Sequence, residues 1–330
     1  MPNSLAPDTT GPTICIGEIL VEIMATTIGS GFLTPQPLTG PYPSGAPAIF
    51  INQCGRIGGS AALIACVGDD DFGRINTARL ARDGVDISAI TTHKSLPTGT
   101  AFVRYRPDGT RDFIFNLSAS AAGSLTWSAQ TQALTARAGH LHVMGTFIAN
   151  ENMVQIIDRA ATIIKSNGGT LSLDPNIRKE LASSAAPAFA RILGQTDLLL
   201  PSADELYIAA GTPPDAGEAA ALQSLFATGI SEVVLKRGAH GASAFLPDGT
   251  AEHVPPFMVQ EQDPTGAGDC FGGAYVACRR LGLPLAKSLL YANAAGARSV
   301  TFQGPMEGAG SRAQLDEFIA KTQYGPAKRP

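Results

Sequence analysis

Short, almost wholly apolar segments recur along this chain, and most of them are followed by a helix-like segment. Strands that are apolar on both faces are typical of a parallel sheet covered by helices on both sides. The alternation therefore predicts right-handed βαβ units and a three-layer α/β/α sandwich. The predicted strands are residues 13–17, 61–67, 140–144, 170–174, 197–200 and 232–236. The predicted helices are residues 46–57, 71–83, 150–167, 178–193, 203–210 and 216–227, and the final third is helical.

Two regions depart from this alternation. Residues 98–117 alternate in polarity around a Pro-Asp-Gly-Thr turn, which predicts an antiparallel hairpin outside the main sheet, and a second such turn lies at 247–250. The stretch 29–47 is rich in Pro and Gly and is predicted to be irregular or part of a small excursion. No linker divides the chain, so we predict a single domain, 1–330, with a small β-rich lid from segments at about 18–45 and 92–120.

Composition and charge argue against several classes of protein. Apolar residues make up 44% of the 330 residues, and a net charge of −4 argues against nucleic acids and anionic membranes as partners. The uncharged stretch 23–54 contains five prolines, which rule out a membrane helix there. The start lacks the pattern of a secretory signal, and the five Cys lack C-x-x-C spacing. We therefore expect a cytoplasmic protein with reduced, mostly buried thiols.

Several common motifs of nucleotide and metal enzymes are missing from the sequence. No Lys follows a Gly, which excludes a Walker A loop, and no G-x-G-x-x-G follows the first strand. The five His show no metal-ligand spacing, and His140 and His142 are interpreted as structural residues of a buried strand.

The most informative segment is D-P-T-G-A-G-D-C-F-G-G-A-Y, which begins at Asp263. Gly266, Ala267 and Gly268 lack bulk and precede a helical run, so their N–H groups and the positive helix end form an anion hole for a phosphoryl group. Asp269 falls in the first helical turn, where it can accept a proton from an attacking hydroxyl. The alternative is a Gly-rich turn followed by an ordinary helix-start carboxylate.

This segment resembles the second signature of the ribokinase (PfkB) family of carbohydrate kinases, which reads close to D-T-x-G-A-G-D-x-F. The resemblance extends over about residues 13 to 305 and points to the branch of fructokinases and 2-keto-3-deoxygluconate kinases. It implies a ribokinase-like sandwich that transfers the γ-phosphoryl group of ATP to a hydroxyl, with Mg²⁺ bridging the phosphates. Further matches, in the expected order, are residues 17–22, 44–48, 56–58, 67–73, 98–99, 174–178 and 236–241.

The resemblance also implies roles for individual positions. The catalytic positions are Asp269 as the base and Gly266, Ala267 and Gly268 as the anion hole. The positions implied for ATP are Lys236, Gly238, Gly241, Ser202, Asn293 and Thr265. The positions implied for the substrate are Glu22, Gly45, Ala46, Asn52, Asn116, Asn176 and Arg178. Glu205 matches a residue that organises Mg²⁺ and phosphate, and Asp263 belongs to a loop that in some members binds a monovalent cation, so K⁺ is left open.

Three departures from the family pattern stand out. Ser202 replaces the Asn of the N-x-x-E element and keeps one hydroxyl in place of the amide's two functions. Ser44 replaces a Gly of the first signature, and Ile49 stands where an Asn that grips substrate is usual. Asn52, one helical turn later, is either a substitute for that Asn or a helix-surface amide.

The lid hairpin bears on the choice of substrate. Related kinases of keto sugar acids and of fructose place an Arg at its end, where this chain has Asn116. Asn cannot bind a carboxylate through two parallel hydrogen bonds, which disfavours 2-keto-3-deoxygluconate. Arg104 and Arg178 remain candidates for an anionic substrate, although the favoured interpretation of Arg104 is a solvent-facing hairpin residue.

Three functions are therefore compared. The first is a sugar or sugar-acid kinase, and the second is a nucleoside kinase, which the apolar Ile49 and Phe50 make conceivable. The third is a catalytically silent ligand-binding module, against which an intact Asp269 and anion hole argue. The edges and apolar face of the lid sheet favour a homodimer through the lid.

Overall fold

The structure is a computed structural model that describes residues 5–29, 31–107, 111–148, 150–176 and 182–325. Its strands are β1 (Thr13–Ile16), β2 (Leu20–Ala25), β3 (Leu38–Ser44), β4 (Ala61–Gly68), β5 (Val85–His93), β6 (Gly99–Tyr105), β7 (Arg111–Asn116), β8 (His140–Met144), β9 (Thr170–Asp174), β10 (Leu198–Leu199), β11 (Glu232–Lys236), β12 (Ala242–Phe245) and β13 (Ala251–Val254). Its helices are α1 (Ala46–Arg56), α2 (Asp71–Arg82), α3 (Ala129–Ala136), α4 (Glu151–Ser166), α5 (Ala182–Leu193), α6 (Ala203–Ala210), α7 (Glu218–Ala227), α8 (Ala267–Arg280), α9 (Leu285–Ser299) and α10 (Arg312–Lys321).

Two sheets account for all of these strands. The large sheet has the order β13-β12-β11-β10-β9-β8-β1-β4-β5 and is parallel except at β12 and β13. The small sheet has the order β3-β2-β6-β7, in which β2 and β6 are parallel and both outer pairs are antiparallel. The large sheet with helices on both faces is the three-layer α/β/α sandwich expected from the sequence, and the small sheet is its β-rich addition.

Helices cover both faces of the large sheet because its strands are apolar on both faces. In β4, Leu63, Ala65 and Val67 pack with residues of α1, α8 and α9. The alternate residues Ala62 and Ile64 belong to a second apolar cluster on the other face of the sheet, which also includes residues of α3, α4 and α7. Since successive strand side chains point to opposite faces, one strand supplies both halves of the core.

Three strands, β2, β3 and β5, were not predicted as strands from the sequence, although β2 lies within the segment assigned to the β-rich lid. β3 lies inside the Pro/Gly-rich stretch expected to be irregular, and it is tolerated there because it is an edge strand, where Pro need not donate to the ladder. β5 was missed because it is the last strand of the large sheet and its residues are only partly buried, which removes the wholly apolar pattern.

The connectivity of the large sheet predicts where ligands bind. From β1 the chain builds outward through β4 and β5, and from β8 it builds in the opposite direction through β9, β10 and β11. The order therefore reverses between β1 and β8, and open parallel sheets bind ligands beyond the carboxyl ends of the strands at such a point. Within the described ranges, no helix is both long enough and apolar enough to cross a bilayer.

Candidate functional site

A cavity of about 1330 Å³, here called the central cavity, lies between the carboxyl ends of the parallel strands and the small sheet. Loops after β1, β8 and β9 line it, together with the small sheet and the start of α8. Its lining includes Glu18, Glu22, Ser44, Gly45, Ala46, Ile49, Arg104, Arg111, Phe113, Phe115, Thr146, Asn150, Asn176, Thr265, Gly266 and Asp269.

Two buried glutamates present carboxylates to the central cavity. Glu18 follows β1 and accepts a hydrogen bond from the Thr146 hydroxyl, which follows β8, at 2.8 Å. Glu22, on β2, accepts one from the Ser44 hydroxyl at 2.7 Å. The hydroxyl of Ser44 thus orients Glu22, a contact that the Gly of the family pattern could not make. Both carboxylates are fixed in orientation, as acceptors for a hydroxyl-rich ligand would need to be.

Asp269 lies in the first turn of α8 and is only 9% exposed. Burial and the carboxylate of Asp174 raise the pKa of Asp269 to about 8, and Lys236 acts against them. Glu18 and Glu22 add to the rise. A carboxyl group with this proton affinity, at the wall of a cavity, has the property that a general base needs at neutral pH.

Gly266 forms the entry to α8 and is in the left-handed conformation, with φ 77° and ψ 0°. A Cβ atom at this position would lie 2.6 Å from the carbonyl oxygen of Pro305. Conformation and space both require glycine here. The first N–H groups of a helix have no acceptor within the helix and lie at its positive end, so this end of α8 can bind an anion beside Asp269.

A buried ion pair stands next to this helix end. Lys236, at the end of β11, pairs with Asp174, at the end of β9. The Lys236 Nζ lies 3.7 Å from where a Cβ of Gly268 would be. Burial favours the neutral amine, but the carboxylates of Asp174 and Glu205 outweigh it and raise the pKa of Lys236, so the ammonium is charged at neutral pH. A fixed cation therefore reinforces the positive end of α8.

Ser202 and Glu205 bond to each other at the start of α6. The Glu205 Oε2 accepts hydrogen bonds from the Ser202 N–H at 2.7 Å and from the Ser202 hydroxyl at 2.6 Å. The Ser that replaces the usual Asn is thus used to orient Glu205, in the manner of a capping box.

Of the positions expected at the nucleotide, Thr265 lines the central cavity and the others lie outside its lining. A Cβ on Gly241 would touch the carbonyl oxygen of Val254, and the amide of Asn293 donates to the carbonyl of Pro255 at 2.8 Å. Gly238 has φ 53° and no heavy atom within 4 Å of a Cβ position, so its surroundings are open. Lys236 joins this region to the start of α8.

Asp263 shapes the loop before α8. It is 1% exposed, and its two oxygens accept the N–H groups of Thr265 and Gly304, each at 3.0 Å. Across the described ranges, no cluster of three or more His, Cys, Asp and Glu side chains could hold a metal ion.

The expected substrate positions divide into two groups. Glu22, Gly45, Ala46 and Asn176 line the central cavity. Asn116 does not: its amide donates to the Thr100 hydroxyl at 3.3 Å, and it faces a separate cavity of about 510 Å³.

Asn52 requires a correction, because neither interpretation of it fits the structure. It is fully buried, and its amide donates to Asp83 at 2.9 Å, away from the central cavity. Although Asn52 lies one helical turn after Ile49, only Ile49 lines the central cavity. Arg178 lies outside the residues that the structure describes. Phe50 stacks on His142 with ring centroids 3.5 Å apart, so of the two apolar residues that suggested a nucleoside only Ile49 lines the cavity.

Sequence reasoning missed several residues of the cavity. Arg111 and Phe113, on β7, face it from the small sheet, and Thr146 and Asn150 face it from the loop after β8. Thr146 could have been predicted as a site residue, because it follows the carboxyl end of a predicted parallel strand. Arg111 gave no signal of its own, because strand alternation does not say which face of a small sheet is covered.

The model of the pfkB family of carbohydrate kinases matches residues 14–310. Fructokinase-1 of Zea mays is 32% identical over 319 residues, which cover 93% of this chain and 97% of that protein. An E. coli protein provisionally named ribokinase II, solved with ATP and Mg²⁺, is 44% identical with a TM-score of 0.87, covering 94% of this chain and 99% of that one. Fructokinase of Vibrio cholerae, solved with fructose, ADP and calcium, is 27% identical with a TM-score of 0.77 over 94% and 99% of the two chains.

Proposed function

Because this chain belongs to the pfkB family of carbohydrate kinases, we propose that it transfers the γ-phosphoryl group of ATP to a hydroxyl of a sugar or sugar acid. Enzymes of this family are phosphotransferases with an alcohol group as acceptor. The observation that carries the proposal is the position of Asp269. Its buried carboxyl group lines a large cavity at the positive end of α8, with the ammonium of Lys236 beside it.

Different residues are proposed to accept the proton and to stabilise the phosphoryl group. Asp269 accepts the proton of the acceptor hydroxyl, and a raised pKa makes its ionised form a stronger base than an ordinary carboxylate. The start of α8 and Lys236 stabilise the negative charge of the phosphoryl group during transfer. Mg²⁺, when bound, supplies further charge neutralisation on the phosphates, and Glu205 is the acidic residue that we assign to help hold it. K⁺ is the second cation that we propose to test, at the loop that Asp263 shapes.

The cavity supports a hydroxyl-rich acceptor. Glu18 and Glu22 present oriented carboxylates, which bind hydroxyl donors, and Asn176 adds an amide. Fructokinases among the relatives support a ketose as the first acceptor to test. Arg104 and Arg111 also line the cavity, so a sugar acid stays within the proposal.

The small sheet is proposed to act as a lid. Arg104, Arg111 and Phe113 of this sheet line the same cavity as Asp269. Closure over the acceptor would exclude water, which competes as an acceptor for the phosphoryl group.

The proposal is tested by a coupled assay of ATP consumption with Mg²⁺, with and without K⁺. The acceptors are ketohexoses, aldohexoses, pentoses, keto sugar acids and nucleosides, and Asp269→Asn is the control. Turnover on a sugar or sugar acid that the control loses by at least about 100-fold is expected. Turnover on nucleosides alone, or equal turnover by the control, would contradict it.

A homodimer through the small sheet is also proposed. Leu33 is 91% exposed, Ile114 53% and Leu38 45%, so large apolar side chains on or beside this sheet face solvent. Burying them against a second copy would remove apolar surface from water. Light scattering should give twice the chain mass, and Ile114→Asp should shift it toward the monomer. A monomer in the unsubstituted protein would rule this out.

A reducing compartment, the cytoplasm, is proposed as the place of action. Cys15, Cys54, Cys66, Cys270 and Cys278 are all buried free thiols. Proteins of oxidising compartments more often carry disulfides.

A further inference from the structure

Arg79, on α2, is a buried arginine that does not line the central cavity but holds the chain segment 304–307. It is 8% exposed. Its Nη2 donates to the carbonyl oxygen of Met306 at 2.6 Å, and its Nη1 donates to Glu307 Oε1 at 2.9 Å. One guanidinium therefore binds the backbone and a side chain of the same short segment, which is the geometry that distinguishes Arg from Lys.

Other buried groups orient this guanidinium. The Arg79 Nε donates to Asp83 Oδ2 at 2.6 Å, and the Asn52 amide donates to the same oxygen at 2.9 Å. Arg56 donates to the other oxygen, Oδ1, at 2.8 Å. Burial alone would raise the pKa of Asp83, but the hydrogen bonds from Asn52 and Arg79 hold it below its usual value, so the carboxylate stays ionised. Arg79 thus cannot turn away without leaving a buried carboxylate short of a partner.

The segment held by Arg79 touches the loop before α8 at two points. Gly304 donates its N–H to Asp263 Oδ2, and the other oxygen of Asp263 receives the N–H of Thr265. The carbonyl oxygen of Pro305 lies 2.6 Å from where a Cβ of Gly266 would be. The segment therefore stands directly against the residue that opens α8.

From these contacts we infer that Arg79 is a positioning residue for the anion hole, acting through segment 304–307 on Gly266 and the loop that precedes it. The inference rests on the proposed phosphoryl transfer for its catalytic consequence. N–H groups stabilise a transferring phosphoryl group only when they are held close to the productive geometry, and a small displacement of such groups costs rate. Releasing segment 304–307 removes the wall that fixes Gly266 in its left-handed conformation.

The test compares Arg79→Met and Arg79→Lys with Arg56→Met as the matched control. Arg56 binds the same Asp83 carboxylate but has its other contact with Gln314, outside segment 304–307. Arg79→Met is expected to lower kcat about 10- to 100-fold with the KM of the acceptor little changed. Arg79→Lys keeps one charged contact and should recover part of that loss, whereas Arg56→Met should keep the kcat of the unsubstituted protein.

Hydrogen exchange of backbone amides gives a second measurement that needs no turnover. In Arg79→Met, the amides of residues 263–269 and 303–307 should exchange faster, whereas in Arg56→Met these two segments should exchange as in the unsubstituted protein. If the unsubstituted protein transfers no phosphoryl group to any acceptor, the proposed function fails, and the exchange comparison still decides the role of Arg79.

Unchanged exchange at residues 263–269 in Arg79→Met would overturn the inference. So would a loss of kcat in Arg56→Met as large as that in Arg79→Met. If Arg79→Met does not fold, Arg79→Lys carries the same comparison, and normal kcat and exchange in that protein would count against a positioning role.

Discussion

The guanidinium of Arg111 donates a hydrogen bond to the hydroxyl of Thr265, so the small sheet and the loop that leads into α8 are joined by their side chains. Arg111 is on β7 and Thr265 is two residues after Asp263. This contact crosses the central cavity's wall from the proposed lid to the proposed catalytic loop. It implies that the position of the small sheet and the geometry of the loop are coupled.

Arg111→Met should therefore weaken closure of the small sheet. We expect the KM of the acceptor to rise about 10-fold, equivalent to about 1.4 kcal/mol. ATP hydrolysis without an acceptor should also increase relative to phosphoryl transfer, because water enters an open site more easily. The matched variant is Thr265→Val, which removes the acceptor of the same bond. In a double-mutant cycle the two effects should not add. Full additivity in KM would show that the bond does not contribute to closure.

The pH dependence of the reaction should report on Asp269. The base acts in its ionised form, and its pKa is raised to about 8, so kcat/KM should increase with pH and reach half its maximum near pH 8. An ordinary carboxylate would be ionised well below neutral pH and would give a flat profile from pH 6 to 9. The measurement is kcat/KM across that range, and a flat profile would argue against this environment of Asp269.

Asp269→Asn should stabilise the fold at high pH while it abolishes transfer. In the unfolded chain the carboxyl group ionises near pH 4, whereas in the folded protein it keeps its proton up to about pH 8. The unfolded state is therefore favoured increasingly as pH rises from about 4 to 8, and the full cost remains above that range. Asn has no proton to lose, so its Tm should exceed that of the unsubstituted protein by more than about 2 °C at pH 8.5 and match it near pH 4. Equal Tm values at both pH values would contradict this prediction.

The ion pair between Lys236 and Asp174 allows stability and activity to be separated. Lys236→Met leaves a buried carboxylate without its cation, so unfolding should become easier by about 3 kcal/mol, and kcat should fall. Adding Asp174→Asn removes that buried charge, and most of the stability should return. Activity should stay low in the double variant, because the cation beside Gly268 is still missing. Recovery of kcat together with stability would show that Lys236 serves the fold alone.

The strands and helices that were predicted well are those whose own residues carry a clear pattern of apolar or capping side chains. β8, β9, β11 and α6 have the predicted bounds, because a strand buried on both faces and a helix with a clear capping pair leave local signatures. The stretch that became β3 has no such signature, since an edge strand can accept Pro. The family resemblance and the position of Asp269 at a helix start could also be predicted, because one contiguous segment, beginning at Asp263, carries both signals.

Contacts between distant segments could not be predicted in this way. Asn52 was considered for the substrate because it lies one turn after Ile49, but its partner Asp83 comes from the end of α2, and only the packing of two helices brings them together. Arg79 and Glu307 bind each other although 228 positions separate them in the sequence. No spacing in the sequence marks such a pair, because each residue alone has an ordinary surface pattern.

The central cavity draws on segments that are synthesised far apart in time. Glu18 is synthesised first, Asp269 follows about 250 residues later, and segment 304–307, which stands against Gly266, comes later still. A nascent chain that has reached β5 contains the β1–β4–β5 half of the sheet, but it has neither the base nor the anion hole. Phosphoryl transfer by this protein would therefore require synthesis to pass segment 304–307, so nascent chains that stop before it could not consume ATP.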